Sequence, residues 1–115
     1  KLDHLICFVD FNNKQIDGTV EQVNDITNFS ERFESFRWHA QDVDGHDIGA
    51  ICDAIEKAKA VKDKLSAIIL HTLKGKGCKF VEGMDYNHHI PMPRPESEAE
   101  IERLKKEIAI LESGK

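Results

Sequence analysis

Three polar segments follow short apolar runs in this 115-residue chain, and they hold the residue types that could do chemistry. The first is Asp10-Phe11-Asn12-Asn13-Lys14-Gln15-Ile16-Asp17-Gly18. A hard cation such as Mg²⁺ takes oxygen ligands and keeps phosphate oxygens in its shell. An Asn amide oxygen and a backbone carbonyl two residues on can supply neutral ligands, so such a site needs a carboxylate from elsewhere to balance the charge. By composition alone, the same Asn-Asn is an ordinary turn. The second segment is Asp44-Gly45-His46-Asp47, and the third is His71-Thr72-Leu73-Lys74-Gly75-Lys76-Gly77. His71 is either satisfied by backbone partners or touches a ligand. Gly-Lys-Gly lacks the spacing of a P-loop or a dinucleotide fingerprint. His88 and His89 are adjacent on a loop, point apart, and have no third ligand at the usual metal spacing.

The elements that must position these segments are legible in the apolar pattern. Residues 5–9 (Leu-Ile-Cys-Phe-Val) predict a strand covered on both faces in a parallel sheet. Residues 11–18 read as a loop ending in Asp-Gly. Residues 30–36 predict a short helix with Ser30 as its cap, and residues 37–43 a second strand marked by Trp38, Ala40 and Val43. Asp47 caps a helix that runs to about Lys62, with Ile48, Ile51, Ile55 and Ala58 on its apolar face and lysines at its negative end. Residues 67–70 (Ala-Ile-Ile-Leu) predict a third strand. Residues 86–95 form a proline-containing loop, and Ser97-Glu98-Ala99-Glu100 is a capping box. It opens a terminal helix whose Ile101, Leu104, Ile108 and Leu111 make one narrow seam. Alternating strands and helices imply an α/β fold, a mostly parallel sheet with flanking helices. Three strands are few, so the chain reads as part of a larger sheet. Ligands of such sheets bind beyond the carboxyl ends of the strands, which selects the three polar segments.

Composition narrows the class. Hydrophobic residues at 40% and charged residues at 32% are those of an ordinary soluble domain. No stretch is long or apolar enough to span a membrane. The opening Lys1-Leu2-Asp3-His4 lacks a signal-peptide pattern and an initiator Met, which leads us to expect a natural protein that extends further upstream. The net charge of −5 comes without a basic stripe, which argues against nucleic acid as a partner. Cys7, Cys52 and Cys78 lack CxxC spacing and read as buried free thiols in a reducing cytoplasm. Trp38, Phe33 and Phe36 read as core.

Taken in order, these segments resemble the transketolase family of thiamine-diphosphate enzymes. Residues 9–18 (Val-Asp-Phe-Asn-Asn-Lys-Gln-Ile-Asp-Gly) resemble the closing half of the thiamine-diphosphate motif. Val43-Asp44-Gly45-His46-Asp47 resembles the turn before the next family helix, and His71 to Gly77 the glycine-rich loop over the cofactor. Tyr86-Asn87-His88-His89 stands where the family usually has Trp-His-Gly, a form similar to the transketolases that some bacteria make as two subunits. The chain then corresponds to the second half of the N-terminal, cofactor-binding subunit or domain.

The resemblance implies roles. Asn12 and the backbone carbonyl of Lys14 match the metal ligands, and Ile16 matches the apolar residue near the thiazolium ring. His71, Lys74, Gly75 and Gly77 match the cofactor loop, and His88 matches a catalytic histidine near the diphosphate and the sugar. Phe11 replaces a polar residue of the family, which leaves the register between Asn12 and Asn13 open. Asn87 and His89 replace Trp and Gly. The sequence contains no Gly-Asp-Gly, the motif whose aspartate completes the metal site, and the resemblance puts that motif upstream. It implies a cytoplasmic enzyme of the pentose phosphate pathway that uses thiamine diphosphate with Mg²⁺, or Ca²⁺ or Mn²⁺. Its partners are sugar phosphates and a C-terminal transketolase subunit or domain, which holds the catalytic glutamate. It assembles as a homodimer or heterotetramer, and the isolated chain is inactive. The activity is transfer of a two-carbon ketol unit from a ketose phosphate to an aldose phosphate. The alternatives are another ketose such as a sulfonated sugar, or a non-catalytic assembly role. Residues 1–95 would be the C-terminal part of the cofactor domain, and residues 96–115 a terminal helix packing on that domain or on a partner subunit.

Overall fold

The computed structural model of the chain describes residues 2–114. They fall into two units, which divide between Leu73 and Lys74. In the first unit, β1 (Ile6–Phe11), β4 (His39–Asp44) and β5 (Ser66–His71) form a parallel sheet in the order β1-β5-β4. The register pairs Phe11 with His71 and His71 with Asp44, so the carboxyl ends of all three strands are level. β5 is the central strand, which is why Ser66, Ala67, Ile68 and Ile69 are all buried. β1 is only partly covered, with Phe8 exposed, because it lies at an edge. The expected cover on both faces belongs to β5 among the described residues.

Alternation along the strands sorts residues between two faces. One face takes α3 (Ile48–Ala60), whose Ala54 and Ala58 pack with Ile68, flanked by Ile6, Val43, Ile55 and Leu70. The small alanines let this helix approach the sheet closely. Ile55 and Ala58 of the expected apolar face do pack on the sheet and Ala54 joins them, whereas Ile48, in the first turn, is 71% exposed. Asp47 does cap α3, accepting the N–H of Ala50 at 3.0 Å, and the helix ends at Ala60 rather than Lys62. The other face takes α2 (Phe29–Ser35), which touches β4 and β5.

Ser30 is inside α2, not its cap; Asn28 holds that position in the left-handed region (φ 59°). Arg37, at φ 65°, breaks the chain before β4, so that strand starts two residues later than expected. Phe33 and Trp38 pack with ring centroids 5.1 Å apart, whereas Phe36 is 79% exposed. Residues 11–18 are not simply loop: β2 (Lys14–Gln15) and β3 (Gly18–Thr19) make a small antiparallel hairpin. Helix α1 (Val20–Asn24) follows with a capping box, Thr19 and Gln22 bonding each other's backbone N–H. The cysteines are free thiols, but Cys52 lies exposed on the outer side of α3 and Cys7 and Cys78 are only half-buried.

In the second unit, α4 spans Arg94–Ser113. It starts before the expected capping box because Pro95 fits a first turn, where its missing N–H costs nothing. Ser97 instead bonds back to the carbonyls of Pro93 and Arg94. Glu100 binds Arg103 and the N–H of Lys79.

Candidate cofactor and metal site

The level strand ends bring the first two polar segments, and the start of the third, to one edge of the sheet. Beyond β1, the Asn12 side-chain oxygen accepts the N–H of Lys14 at 2.9 Å. This is an Asx turn, and Asn13 completes it in the left-handed region (φ 54°). Within the turn, Asn12 is half-buried and anchored to the backbone, and Asn13 is exposed. The Asn12 oxygen keeps a second lone pair for a cation. Ile16 lies at the hairpin tip, 63% exposed.

Beyond β4, Gly45 donates its N–H to the carbonyl of His71 at 2.9 Å. A Cβ at Gly45 would lie 2.4 Å from Thr72 Cγ2 and 3.0 Å from Leu70 Cβ, so only glycine lets this turn seat against the exit of β5. His46 Nε2 accepts the N–H of Leu73 at 2.8 Å, which fixes the neutral ring as the Nδ1–H tautomer. Thr72 donates its hydroxyl to Asp10. These bonds tie the three exits together.

The α2 face adds a network that motif matching missed. His71 Nε2 lies 2.6 Å from Asp42 Oδ1, and Ser30 donates its hydroxyl to the other Asp42 oxygen. The His71 ring sits edge-on to Phe11, with centroids 5.5 Å apart, and Phe11 meets Phe29 of α2 in the same way at 5.1 Å. A cleft of about 320 Å³ opens here, lined by these residues with Ile69 and Glu31. Such a size is at the low end for small-molecule sites, roughly 300–1,000 Å³. His71 is thus satisfied by a side chain, not by the backbone. The strand register brings the two together: Asp42 pairs with Ile69, two residues before His71 on the same face.

The second unit holds Lys74, Gly75, Gly77 and His88. Lys74 Nζ lies 3.1 Å from His88 Nδ1, which leaves Nε2 of the exposed ring as its outward atom. Asn87 donates to the carbonyls of Lys74 and Val81 and so pins the loop that carries His88. Gly75 (φ 81°) and Gly77 (φ 90°) are both left-handed. The Gly77 N–H is committed to Glu82 and its carbonyl accepts from Arg103. Its open α-carbon, with nothing within 4 Å of a would-be Cβ, is what it can offer a ligand.

Asn12 and Lys14 carry oxygens of the kind a hard cation takes, and could hold one only together with groups from another segment. Asn12 and Lys14 offer neutral oxygens on one turn. Among the described residues, no three His, Cys, Asp or Glu side chains gather to hold an ion. Diphosphate oxygens and an outside carboxylate would complete an octahedral shell.

An α/β sheet with ligand-type turns at its carboxyl edge defines the class. The chain belongs to the transketolase family: residues 1–111 match the family described as transketolase, thiamine diphosphate binding domain. It is 39% identical over 109 residues to the 6-deoxy-6-sulfo-D-fructose transketolase subunit SqwG of Clostridium sp. (strain MSTE9), covering 95% of this chain and 40% of that relative. It is 32% identical to an apulose-4-phosphate transketolase subunit of Phocaeicola vulgatus, covering 93% of this chain and 41% of that one. The crystal structure of transketolase from Campylobacter jejuni subsp. jejuni superposes with a TM-score of 0.76 at 32% identity, over 90% of this chain and 16% of that one. The chain therefore spans well under half the length of these relatives. No helix among the described residues is long and apolar enough to cross a membrane.

Proposed function

We propose that this chain is the second half of the cofactor-binding part of a transketolase-type enzyme, working in the cytoplasm within a larger assembly. One observation carries the reading: the Asn12 turn, the Gly45 turn and the exit of β5 stand level at one edge of the sheet, in a chain of this family. In this reading Asn12 Oδ1 and the Lys14 carbonyl ligate Mg²⁺ or a similar divalent ion, and Ile16 packs beside the thiazolium ring. His71, Lys74, Gly75 and Gly77 border the cofactor. His88, whose Nδ1 lies 3.1 Å from Lys74 Nζ, would be the catalytic histidine. Bound thiamine diphosphate supplies an electron sink for breaking and making the carbon–carbon bond beside a ketose carbonyl. A carboxylate from a Gly-Asp-Gly motif and a catalytic glutamate come from other segments or subunits. Residues 96–115 pack on the domain or on a partner, and the assembly is a homodimer or heterotetramer.

The reaction is transfer of a two-carbon ketol unit between sugar phosphates, as in the pentose phosphate pathway. A second reading, a sulfonated ketose donor, is favoured by the 39% identity to the sulfofructose transketolase relative. To separate the two, transfer is assayed on the full-length assembly, with a ketopentose phosphate or a 6-sulfo-ketohexose as donor and an aldose phosphate as acceptor. We expect transfer that requires thiamine diphosphate and Mg²⁺, and the faster donor names the substrate class. No transfer from either donor, with no cofactor bound, would leave an assembly role.

A further inference from the structure

The network around Asp42 lies beside the Asn12 turn and includes neither proposed metal ligand, Asn12 or Lys14. Its members come from four elements: Ser30 from α2, Asp42 from β4, His71 from β5 and Phe11 from β1. One Asp42 oxygen takes the Ser30 hydroxyl and the other takes His71 Nε2 at 2.6 Å, so both the helix and the central strand are tied to β4. The imidazole held this way presents its ring to the edge of Phe11, which Phe29 meets from α2. Phe11 is therefore gripped between a strand and a helix. Its carbonyl also accepts the N–H of Thr72 at 3.2 Å. Asn12 is the next residue, and its Asx turn starts from the backbone direction that Phe11 sets.

We propose that Asp42 is a positioning residue for the metal site, acting through His71 and Phe11 to fix the orientation of Asn12. This rests on Asn12 being a metal ligand. Outer groups that orient a ligand commonly matter about 10–100-fold in metal affinity. Phe11, the departure from the family's polar residue, becomes the part that links the network to the ligand. His71 then serves the site through its ring's grip on Phe11 and its carbonyl's grip on Gly45.

The test is calorimetric titration of thiamine diphosphate into the full-length assembled protein across a series of Mg²⁺ concentrations. Asp42→Ala should raise the Mg²⁺ needed for half-maximal binding about tenfold, with cofactor affinity restored at saturating Mg²⁺. Asp42→Asn keeps an acceptor for His71 and a partner for Ser30, and should recover most of the loss. Ser30→Ala, which cuts one arm and leaves the strands untouched, should fall between them. An unchanged Mg²⁺ requirement in Asp42→Ala, while Asn12→Ala raises it, overturns the inference and leaves the metal reading standing. So does equal loss in Asp42→Ala and Asp42→Asn. An unchanged requirement in Asn12→Ala overturns both.

Discussion

Partial burial at Asp42 works against its charge, yet the hydrogen bonds from Ser30 and His71, with the imidazole's charge, outweigh it and hold the carboxyl below its ordinary 3.8. A carboxyl depressed on folding contributes stability above its unfolded value and loses it as pH falls through the folded one. The gap in unfolding midpoint between the native protein and Asp42→Asn should therefore hold steady at neutral pH and shrink as pH drops below 3.8. A gap that ignores acidification would show that the charge of Asp42 does not hold the link. The contrast between Asn12 and Asp42 explains what the sequence made legible at this scale. Asn12 caps an N–H two residues on, a local bond that residue types announce. Asp42 and His71 are 29 residues apart and meet only through the register of β4 on β5, which no motif prints.

At the scale of elements, the sheet and its main helix follow from the apolar runs, and the errors lie where small residues or tight turns decide. Helical spacing points to Ile48, Ile55 and Ala58 on the packed face of α3; Ile55 and Ala58 lie there and Ile48 does not, and Ala54 joins them because lying close on Ile68 needs small residues at the contact. The hairpin of β2 and β3 is two residues per strand, too short for a periodic pattern, and only Thr19 and Gln22 announce α1. α4 begins before its expected capping box because proline is tolerated in a first turn. The close seat of the Gly45 turn on β5 gives the sharpest test here. Gly45→Ala puts a methyl 2.4 Å from Thr72 Cγ2 and 3.2 Å from the His71 carbonyl. Overpacking of this kind should cost about 1–3 kcal/mol in denaturant unfolding. A change under about 0.5 kcal/mol, the range of an indifferent surface substitution, would show that the turn yields.

For the molecule as a whole, the family was legible because its motif blocks fall in order along 111 matched residues. The assembly was not, since oligomeric state depends on surfaces and segments outside any motif. Asn12, Lys14, Ile16 and His71 belong to the first unit, and Lys74, Gly75, Gly77 and His88 to the second. With neutral oxygens alone at the proposed metal ligands, Asn12 and Lys14, the isolated 115-residue chain should bind thiamine diphosphate weakly whether or not Mg²⁺ is present. The most direct measurement is titration of thiamine diphosphate into the full-length assembly, native and Asn12→Ala, with and without Mg²⁺. We predict Mg²⁺-dependent binding by the native protein, weakened at least about tenfold by Asn12→Ala. Equal affinity in the two proteins, with the same Mg²⁺ requirement, would contradict the assignment of this turn as the metal site.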